Sequence, residues 1–306
     1  MHSGRHRSPH KGYSVEFKEH RAYVRGDEPR TIDWKAFAKS DRLFIREYEE
    51  ETNLRCTLLL DRSGSMGYGG DRAVFFSGRR ASKFVYAQVL AATIAQMMIR
   101  SSDSIGVMTF DDAVRDIVPA RSRPGHLQAI LAAIARTGDH GEADLGTVMR
   151  TAAAKIGRRG LVVVITDAAG PVEPLVKSLA MIRSRPNDVV LFEIADPDEC
   201  DLPLDGRIQF TDLEGWQSDV TVDAASIRSA YLQRRSIHQD ALQTACRRHR
   251  VDRILVTTDT PVSSVLTAYL AQRSSAATPR NSVSTSQNSV STSQNSGSTF
   301  RGKASG

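Results

Sequence analysis

Cysteine is scarce in this 306-residue sequence, which argues against a disulfide-stabilised secreted domain. The three cysteines, Cys56, Cys200 and Cys246, are odd in number and share no spacing typical of metal ligands. Because Cys56 and Cys246 stand among apolar residues, we expect buried free thiols rather than redox or metal-binding groups. The sequence therefore predicts a reducing compartment.

The sequence also lacks an apolar run long enough to cross a bilayer. The longest mostly apolar segment, residues 84–99, is interrupted by Gln88, Thr93 and Gln96 and is too short for a span. The basic start, MHSGRHRSPHKG, has no apolar stretch of the kind that a secretion signal needs. We therefore expect a cytoplasmic protein without a membrane span.

Acidic residues are absent from both ends of the chain. Residues 1–12 carry three cations and residues 274–306 carry three more, and together these account for the whole net charge of +6. The body between them is net neutral, so no overall positive excess drives phosphate binding. Specific nucleic-acid recognition is not expected. Weak binding through the basic ends stays open as an alternative, and it predicts salt-sensitive affinity that trimming both ends removes.

The end of the chain repeats seven small polar residues, NSVSTSQ, from Asn281 onward. One valine per repeat supplies no coiled-coil seam, so residues 274–306 are predicted to form a disordered tail. Residues 1–50 are predicted to be a basic and charged extension packed on the core. Residues 51–273 are predicted to be the folded domain.

Short apolar runs alternate with helical patterns between residues 54 and 273. Strands are predicted at residues 54–60, 105–110, 161–166, 189–195 and 253–257, and helices at residues 81–100, 126–136, 145–156, 174–183, 227–248 and 262–273. Several strands are apolar throughout, as expected when helices cover both faces of a sheet. The predicted fold is an α/β doubly wound, mostly parallel sheet, with an irregular insertion over residues 201–223.

The stretch TLLLDRSGSMG ends a predicted strand with one carboxylate and two hydroxyls. Asp61, Ser63 and Ser65 stand at alternate positions, which can aim three oxygens at one point when the loop curls. Hard cations such as Mg²⁺ prefer oxygen ligands, and ligands of open α/β sheets bind beyond the carboxyl ends of the strands. A second strand, in LVVVITDAAG, ends in Asp167. This pair of strand ends favours a metal site over the alternative that these residues only cap the next helix.

The sequence lacks the signatures of common hydrolases and nucleotide-binding proteins. Ser63 stands where a DxDx phosphatase loop has its second acid, and no GxxxxGK[ST] loop occurs. No Ser-His-Asp or Cys-His signature stands at a strand end. We therefore expect no enzymatic activity. A metal-dependent hydrolase stays open as an alternative, and it predicts phosphoester turnover that a chelator abolishes.

The DxSxS loop, with an Asp ending a later strand, resembles the metal-ion-dependent adhesion site of von Willebrand factor A-like domains. The longer run SVEFKEHRAYVRGDEPRTIDWKAFAKSDRLFIREYEEETNLRCTLLLDRSGSM is similar to the signature of a bacterial family, the domain of unknown function 58. The pieces RRGLVVVITD, DPDECDLPLDGRIQFTDLEG and VDRILVTTDTP are similar to it as well. The resemblance covers about residues 5–273.

This resemblance implies a von Willebrand factor A-like fold and a non-enzymatic, metal-dependent protein–protein interaction module. Asp61, Ser63 and Ser65 match the DxSxS ligands, and Asp167 matches the Asp of the later strand. The implied ion is Mg²⁺, with Mn²⁺ or Ca²⁺ as alternatives, and an acidic residue of a partner would join it. The family is often encoded beside a MoxR-type AAA+ ATPase. That ATPase and its client proteins are the implied partners, in chaperone-like remodelling or activation.

One ligand position departs from the pattern of the family. Where the family has Thr-Asp-Leu, this chain reads Ala143-Asp144-Leu145, so the threonine hydroxyl is missing. Two outcomes are open. Either Asp144 reaches the metal and makes the site more anionic, or the site is weak or empty.

The leading segment RAYVRGDEPRTIDW also resembles the family. We expect Arg21 and Arg30 to form ion pairs with Asp27 and Asp33 that pin this segment to the sheet, with Trp34 packed beneath it. A partner-binding role of the segment is the alternative.

Overall fold

Strands and helices alternate through most of the protein. The computed structural model describes residues 15–24, 27, 32–50, 54–76, 78–136, 145–213 and 218–276. In chain order the elements are β1 (Val15–Ala22), α1 (Trp34–Ser40), β2 (Phe44–Glu50), β3 (Arg55–Asp61), a 3-10 helix (Gly64–Gly67), β4 (Phe75–Phe76), β5 (Arg79–Arg80), α2 (Lys83–Arg100), β6 (Ser104–Phe110), β7 (Val114–Arg121), α3 (His126–Ile134), α4 (Leu145–Lys155), β8 (Leu161–Thr166), α5 (Val172–Arg183), β9 (Asp188–Ala195), α6 (Pro197–Asp201), β10 (Arg207–Phe210), β11 (Val220–Asp223), α7 (Ala224–Arg248), β12 (Asp252–Thr257) and α8 (Val262–Ala276).

Six of these strands form the central sheet, in the order β12-β9-β8-β3-β6-β7. All neighbours are parallel except β7, which runs antiparallel to β6 at one edge. The chain builds the sheet from β3 through β6 to β7, and then from β8 through β9 to β12 on the other side of β3. The junction of β3 and β8 is therefore the topological switch point, where ligands of open α/β sheets bind.

The register of the sheet brings several strand ends to one edge. Asp61 of β3 is aligned with Phe110 of β6, and Leu60 is aligned with Ile165 of β8. The carboxyl ends of β3, β6 and β8 therefore lie side by side, and so do the loops that leave them.

Helices cover both faces of the sheet, and this is why β8 is buried at all six residues. Because successive side chains of a strand point to opposite faces, β3 contributes to two apolar clusters. Leu58 and Leu60 pack in the cluster that includes residues of α2, α3 and α8, whereas Leu59 packs in the cluster that includes residues of α4, α5 and α7. Burial of each such side chain contributes about 1.5–3 kcal/mol.

Helix α2 follows the loop after β3. The Ser82 hydroxyl accepts a hydrogen bond from the Val85 N–H at 3.2 Å and caps the helix. One face of α2, which includes Tyr86, Leu90 and Ile94, is buried against the sheet. The cap thus makes Lys83 the first helical residue and holds it beside the loop after β3.

The predicted doubly wound α/β class with a mostly parallel sheet is confirmed. The five predicted strands and six predicted helices are present, with their ends shifted by at most three residues. The irregular insertion expected over residues 201–223 is wrong in part, because β10 and β11 pair there as an antiparallel hairpin. Residues 1–14 and 277–306, which contain nearly all of the two basic ends, lie outside the described residues.

The leading segment differs from its prediction. Arg21 and Asp27 form the expected ion pair at 2.9 Å, and Asp33 caps α1 by accepting from the Lys35 and Ala36 N–H groups. The expectation that Trp34 packs beneath the segment is wrong, because its side chain is 62% exposed. An Asp at the N-cap accepts hydrogen bonds from the free N–H groups of the first helical turn. Arg30 lies outside the described residues.

The scarcity of cysteine and of long apolar runs has a counterpart in the structure. Cys56 and Cys246 are buried free thiols, as predicted, and Cys200 is half-buried. Within the described ranges, no helix combines the length and the apolar composition that crossing a bilayer requires.

Candidate functional site

Asp61, the last residue of β3, lies at the switch point and is only 3% exposed. Its Oδ1 accepts a hydrogen bond from the Ser63 N–H at 2.9 Å, and its Oδ2 accepts one from the Thr166 hydroxyl at 2.5 Å. Thr166 is the last residue of β8, so the Asp61 carboxylate bridges the ends of the two central strands. The bond to Ser63 keeps the loop curled immediately after the strand.

The two serine hydroxyls of this loop lie close together. Ser63 Oγ and Ser65 Oγ are 3.2 Å apart. The 3-10 helix Gly64–Gly67 turns the chain so that alternate side chains converge, and Ser65 also interacts with the Asp167 carboxylate. The alternative that these residues cap the following helix does not describe this loop, since Ser63 precedes the 3-10 helix without a side-chain cap bond and α2 is capped by Ser82.

Asp167 follows β8 and has a side chain that is 6% exposed. Its Oδ1 accepts from the Ala169 N–H at 3.2 Å, and its Oδ2 accepts from Lys83 Nζ at 2.8 Å. The same ammonium donates to Glu199 Oε1 at 2.6 Å. Lys83 therefore ties the end of β8 to α6, which follows β9.

The charges of this cluster shift each other's pKa. Burial, and then the nearby Asp167 carboxylate, raise the pKa of Asp61 to about 7. Burial acts in the same direction on Asp167, but the Lys83 ammonium holds the pKa of Asp167 below its usual range. Burial lowers the pKa of Lys83, yet Asp167 and Glu199 together raise it above its ordinary value. At neutral pH, Asp167 and Lys83 form an ion pair, whereas Asp61 holds its proton more tightly than an ordinary aspartate does.

Four of the five predicted site residues thus meet at one place. Asp61, Ser63, Ser65 and Asp167 contribute two carboxylates and two hydroxyls, whereas Asp144 and the neighbouring Ala143 lie outside the described residues. Among the residues that the structure describes, no three His, Cys, Asp or Glu side chains are grouped to hold a metal. The donor set is nevertheless one that hard cations accept, and a cation there would relieve the repulsion between the two carboxylates.

Three further residues of the cluster, Thr166, Lys83 and Glu199, were not predicted from the sequence. Thr166 directly precedes Asp167 at the end of a predicted strand, so its place beside the site could have been found from the sequence. Lys83 stands one residue after a serine typical of an N-cap, but nothing in that pattern indicates a buried ammonium. Glu199 is 116 residues from Lys83 along the chain, so only the fold brings the two together.

A second set of contacts fastens the loop after β3 to α6. The Gly70 N–H donates to Asp196 Oδ2 at 3.0 Å, and Arg72 Nε donates to Asp198 Oδ1 at 2.6 Å. The Thr258 hydroxyl, at the end of β12, donates to the same Asp196 oxygen at 2.8 Å. Three strand ends are thereby held in one arrangement around the candidate site.

Gly70 is the glycine on which this arrangement depends most directly. A Cβ added at Gly70 would overlap Asp198 Oδ2 and lie 2.6 Å from Asp196 Oδ1. We therefore expect Gly70→Ala to lower the free energy of unfolding by about 1–3 kcal/mol, as overpacking does in other buried sites. Urea unfolding would measure this, with Gly67→Ala as the control because nothing lies within 4 Å of a Cβ there. Equal losses for the two variants would contradict the prediction.

On the other side of the site, Arg62 connects β3 to β6 and β7. Its guanidinium lies 3.1 Å from an Asp116 carboxylate oxygen and 3.7 Å from an oxygen of Asp111, which follows β6 and is fully buried. Asp111 also accepts from Arg115 Nε at 2.5 Å. Asp111, which follows β6, is therefore paired with arginines. The hydrogen bonds that Asp61 accepts come instead from a backbone N–H and a hydroxyl.

A family model described as "Protein of unknown function DUF58" matches residues 19–241. Uncharacterized proteins of Mycobacterium bovis (strain ATCC BAA-935 / AF2122/97) and Mycobacterium tuberculosis (strain ATCC 25618 / H37Rv) are each 27% identical over 220 residues, or 70% of this chain. The match spans 66% of the length of these relatives, slightly less than two thirds.

Two solved structures also match most of this chain. The conserved hypothetical protein BatB from Bacteroides thetaiotaomicron has a TM-score of 0.47 and 15% identity, and the match covers 73% of this chain and 98% of that one. The SpRpn10 VWA domain has a TM-score of 0.39 and 10% identity, with 71% and 95% covered. Both scores are below 0.5, so the fold assignment rests on the strand order of the protein itself.

The family model extends from β1 into α7. It therefore includes Asp61, Ser63, Ser65, Asp167, Lys83 and Glu199. Because the match covers well over half of the chain, the protein belongs to the family described as protein of unknown function DUF58.

Proposed function

We propose that the protein is a non-enzymatic interaction module that binds other proteins in a metal-dependent way. The observation that supports this most directly is the meeting of two carboxylates and two hydroxyls at the switch point. Asp61, Ser63 and Ser65 would hold a divalent cation, Mg²⁺ in the first place, and Asp167 would act on it through water. Asp144 would join them if the segment before α4 brings it near.

The chemistry of the cluster favours binding over catalysis. The groups around Asp61 and Asp167 are serine and threonine hydroxyls, backbone amides and a lysine that is held by two carboxylates. Such groups orient oxygen ligands, and a bound Mg²⁺ would supply a strong electrostatic attraction for one further anionic oxygen. In the proposal this oxygen belongs to an Asp or Glu side chain of a partner protein.

The partner that we propose is a MoxR-type AAA+ ATPase, together with its client proteins. The support is family membership and the resemblance that the sequence carries, since the family is often encoded beside such an ATPase. The protein would then act as an adaptor in chaperone-like remodelling or activation. The carboxylate on the ATPase or client side would make the complex depend on both the metal and an acidic residue.

Removing the Asp61 carboxylate tests the metal site. We expect calorimetry to detect Mg²⁺ binding to the chelator-treated wild type and a loss of affinity of at least about tenfold for Asp61→Ala, because one charged ligand is lost. Asp259→Ala is the matched control, since Asp259 lies after β12, is exposed and contacts threonine hydroxyls. Equal heats of Mg²⁺ binding from the wild type and Asp61→Ala would contradict a metal site at Asp61.

Partner binding needs its own experiment. The immobilised full-length protein would be mixed with a purified MoxR-type AAA+ ATPase, in the presence of either Mg²⁺ or a chelator. Retention only with Mg²⁺, lost in Asp61→Ala and kept in Asp259→Ala, is the expected result. Retention that ignores both the chelator and the Asp61 substitution would contradict metal dependence.

A further inference from the structure

Lys83 occupies a position that is unfavourable for a lysine. It is the first residue of α2, where the helix dipole repels a cation, and its side chain is 3% exposed. Burial of an ammonium is strongly unfavourable unless acids surround it. The backbone N–H of Lys83 donates to Tyr68 O at 2.8 Å, which fastens this residue to the loop that carries Ser63 and Ser65. The position therefore belongs to the site and not merely to the helix.

The Lys83 ammonium forms ion pairs with two acids of the site. It contacts Asp167 Oδ2 at 2.8 Å and Glu199 Oε1 at 2.6 Å. The hydrogen bonds that Asp61 accepts come instead from neutral groups, the Ser63 N–H and the Thr166 hydroxyl. One of the two carboxylates that face the serine hydroxyls is thus already neutralised by a cation of the protein itself.

We infer that Lys83 is an internal competitor of the metal, which shares Asp167 with it and keeps the affinity for divalent cations low. The inference rests on the proposed metal site and adds a residue that sets its strength. A metal that draws on Asp167 has to share this carboxylate with the ammonium or displace the ammonium toward Glu199. Glu199 gives the displaced ammonium a second acid, so displacement does not leave it unpaired.

A purely structural role of Lys83 makes a different prediction. If the ammonium only joins the end of β8 to α6, its removal should loosen the site and should not strengthen metal binding. If Lys83 competes with the metal, by contrast, the protein should bind metal more tightly when Lys83 is replaced, even though the protein becomes less stable. Metal affinity therefore separates the two roles, and stability alone does not.

The experiment compares metal affinity in the full-length wild type, Lys83→Met and Lys83→Gln. Mg²⁺ binding would be measured by calorimetry, and Mn²⁺ binding by the electron paramagnetic resonance of the free ion. We expect both variants to bind either ion about 10- to 100-fold more tightly than the wild type, because a positive charge beside a metal ligand is removed. Lys83→Gln keeps an N–H donor for Asp167 and serves if Lys83→Met does not fold. Lys177→Met, on the exposed side of α5, is the control for the same change of side chain.

The outcomes of this experiment separate the competitor role of Lys83 from the proposed metal site on which it rests. Tighter binding by the two Lys83 variants, with Lys177→Met unchanged, supports competition. Metal binding by the wild type that is equal to or stronger than that of the variants overturns the competitor role and leaves the metal site standing. Absence of binding by the wild type and by every variant at millimolar Mg²⁺ and Mn²⁺ overturns both.

Discussion

Replacing Lys83 with methionine is expected to lower the free energy of unfolding by about 3–5 kcal/mol at pH 7 in the absence of metal. The substitution leaves Asp167, with a side chain that is 6% exposed, without the ammonium that it contacts at 2.8 Å. A buried charge that loses its partner retains its full desolvation penalty, so the loss exceeds the net value of the ion pair itself. Urea unfolding of the chelator-treated protein would measure it.

Two companion variants show whether the lost partner is the cause. Lys83→Met combined with Asp167→Asn removes both charges, so it should recover part of the stability that Lys83→Met loses. Lys177→Met breaks an exposed ion pair with Glu173 on α5 and should cost at most about 0.5 kcal/mol. A double variant as unstable as the sum of its single substitutions would contradict the electrostatic explanation.

Lys83→Met also links stability to the competition between the Lys83 ammonium and the metal for Asp167. Without the ammonium, a divalent cation becomes the remaining way to neutralise Asp167. Saturating Mg²⁺ should therefore stabilise Lys83→Met more than it stabilises the wild type. A thermal unfolding series with increasing Mg²⁺ would show the difference as a steeper rise of Tm in the variant.

The central sheet could be predicted from the sequence because its strands are buried on both faces. The run Leu161–Thr166 is apolar enough that its bounds agree with the structure at both ends. Strand β7 escapes prediction because its side chains alternate between half-buried and exposed positions and include polar residues. The hairpin of β10 and β11 is short and equally polar in pattern, so its pairing depends on the fold around it.

The candidate site was predictable where it depends on strand ends and not where it depends on contacts between distant elements. Asp61, Ser63, Ser65 and Asp167 follow from two apolar runs that each stop at an aspartate. Lys83 lies 84 residues from Asp167 and 116 from Glu199, and no local pattern indicates that its ammonium is buried between them. A lysine at the start of a helix is ordinarily expected in solvent.

The substitution Asp61→Asn is expected to make the metal-free protein more stable, by an amount that depends on pH. The pKa of Asp61 is raised to about 7 in the folded protein, above the ordinary value of 3.8. Between these two values the folded state binds more protons than the unfolded state, so the stability of the wild type falls as pH rises from about 4 to about 7. Asp61→Asn cannot ionise there and lacks this loss.

The difference between Asp61→Asn and the wild type should therefore be small near pH 4 and reach about 2–4 kcal/mol above pH 7. Urea unfolding at several pH values with a chelator present would measure it, and Asp259→Asn is the exposed control. Mg²⁺ should make the wild type more stable than Asp61→Asn at pH 8. The reason is that a bound cation stabilises the ionised Asp61 carboxylate more than it stabilises an asparagine amide. Parallel pH profiles of the free energy of unfolding for the wild type and Asp61→Asn would mean that burial and Asp167 do not raise the pKa of Asp61. The attraction of the site for a cation would then have lost its main electrostatic cause.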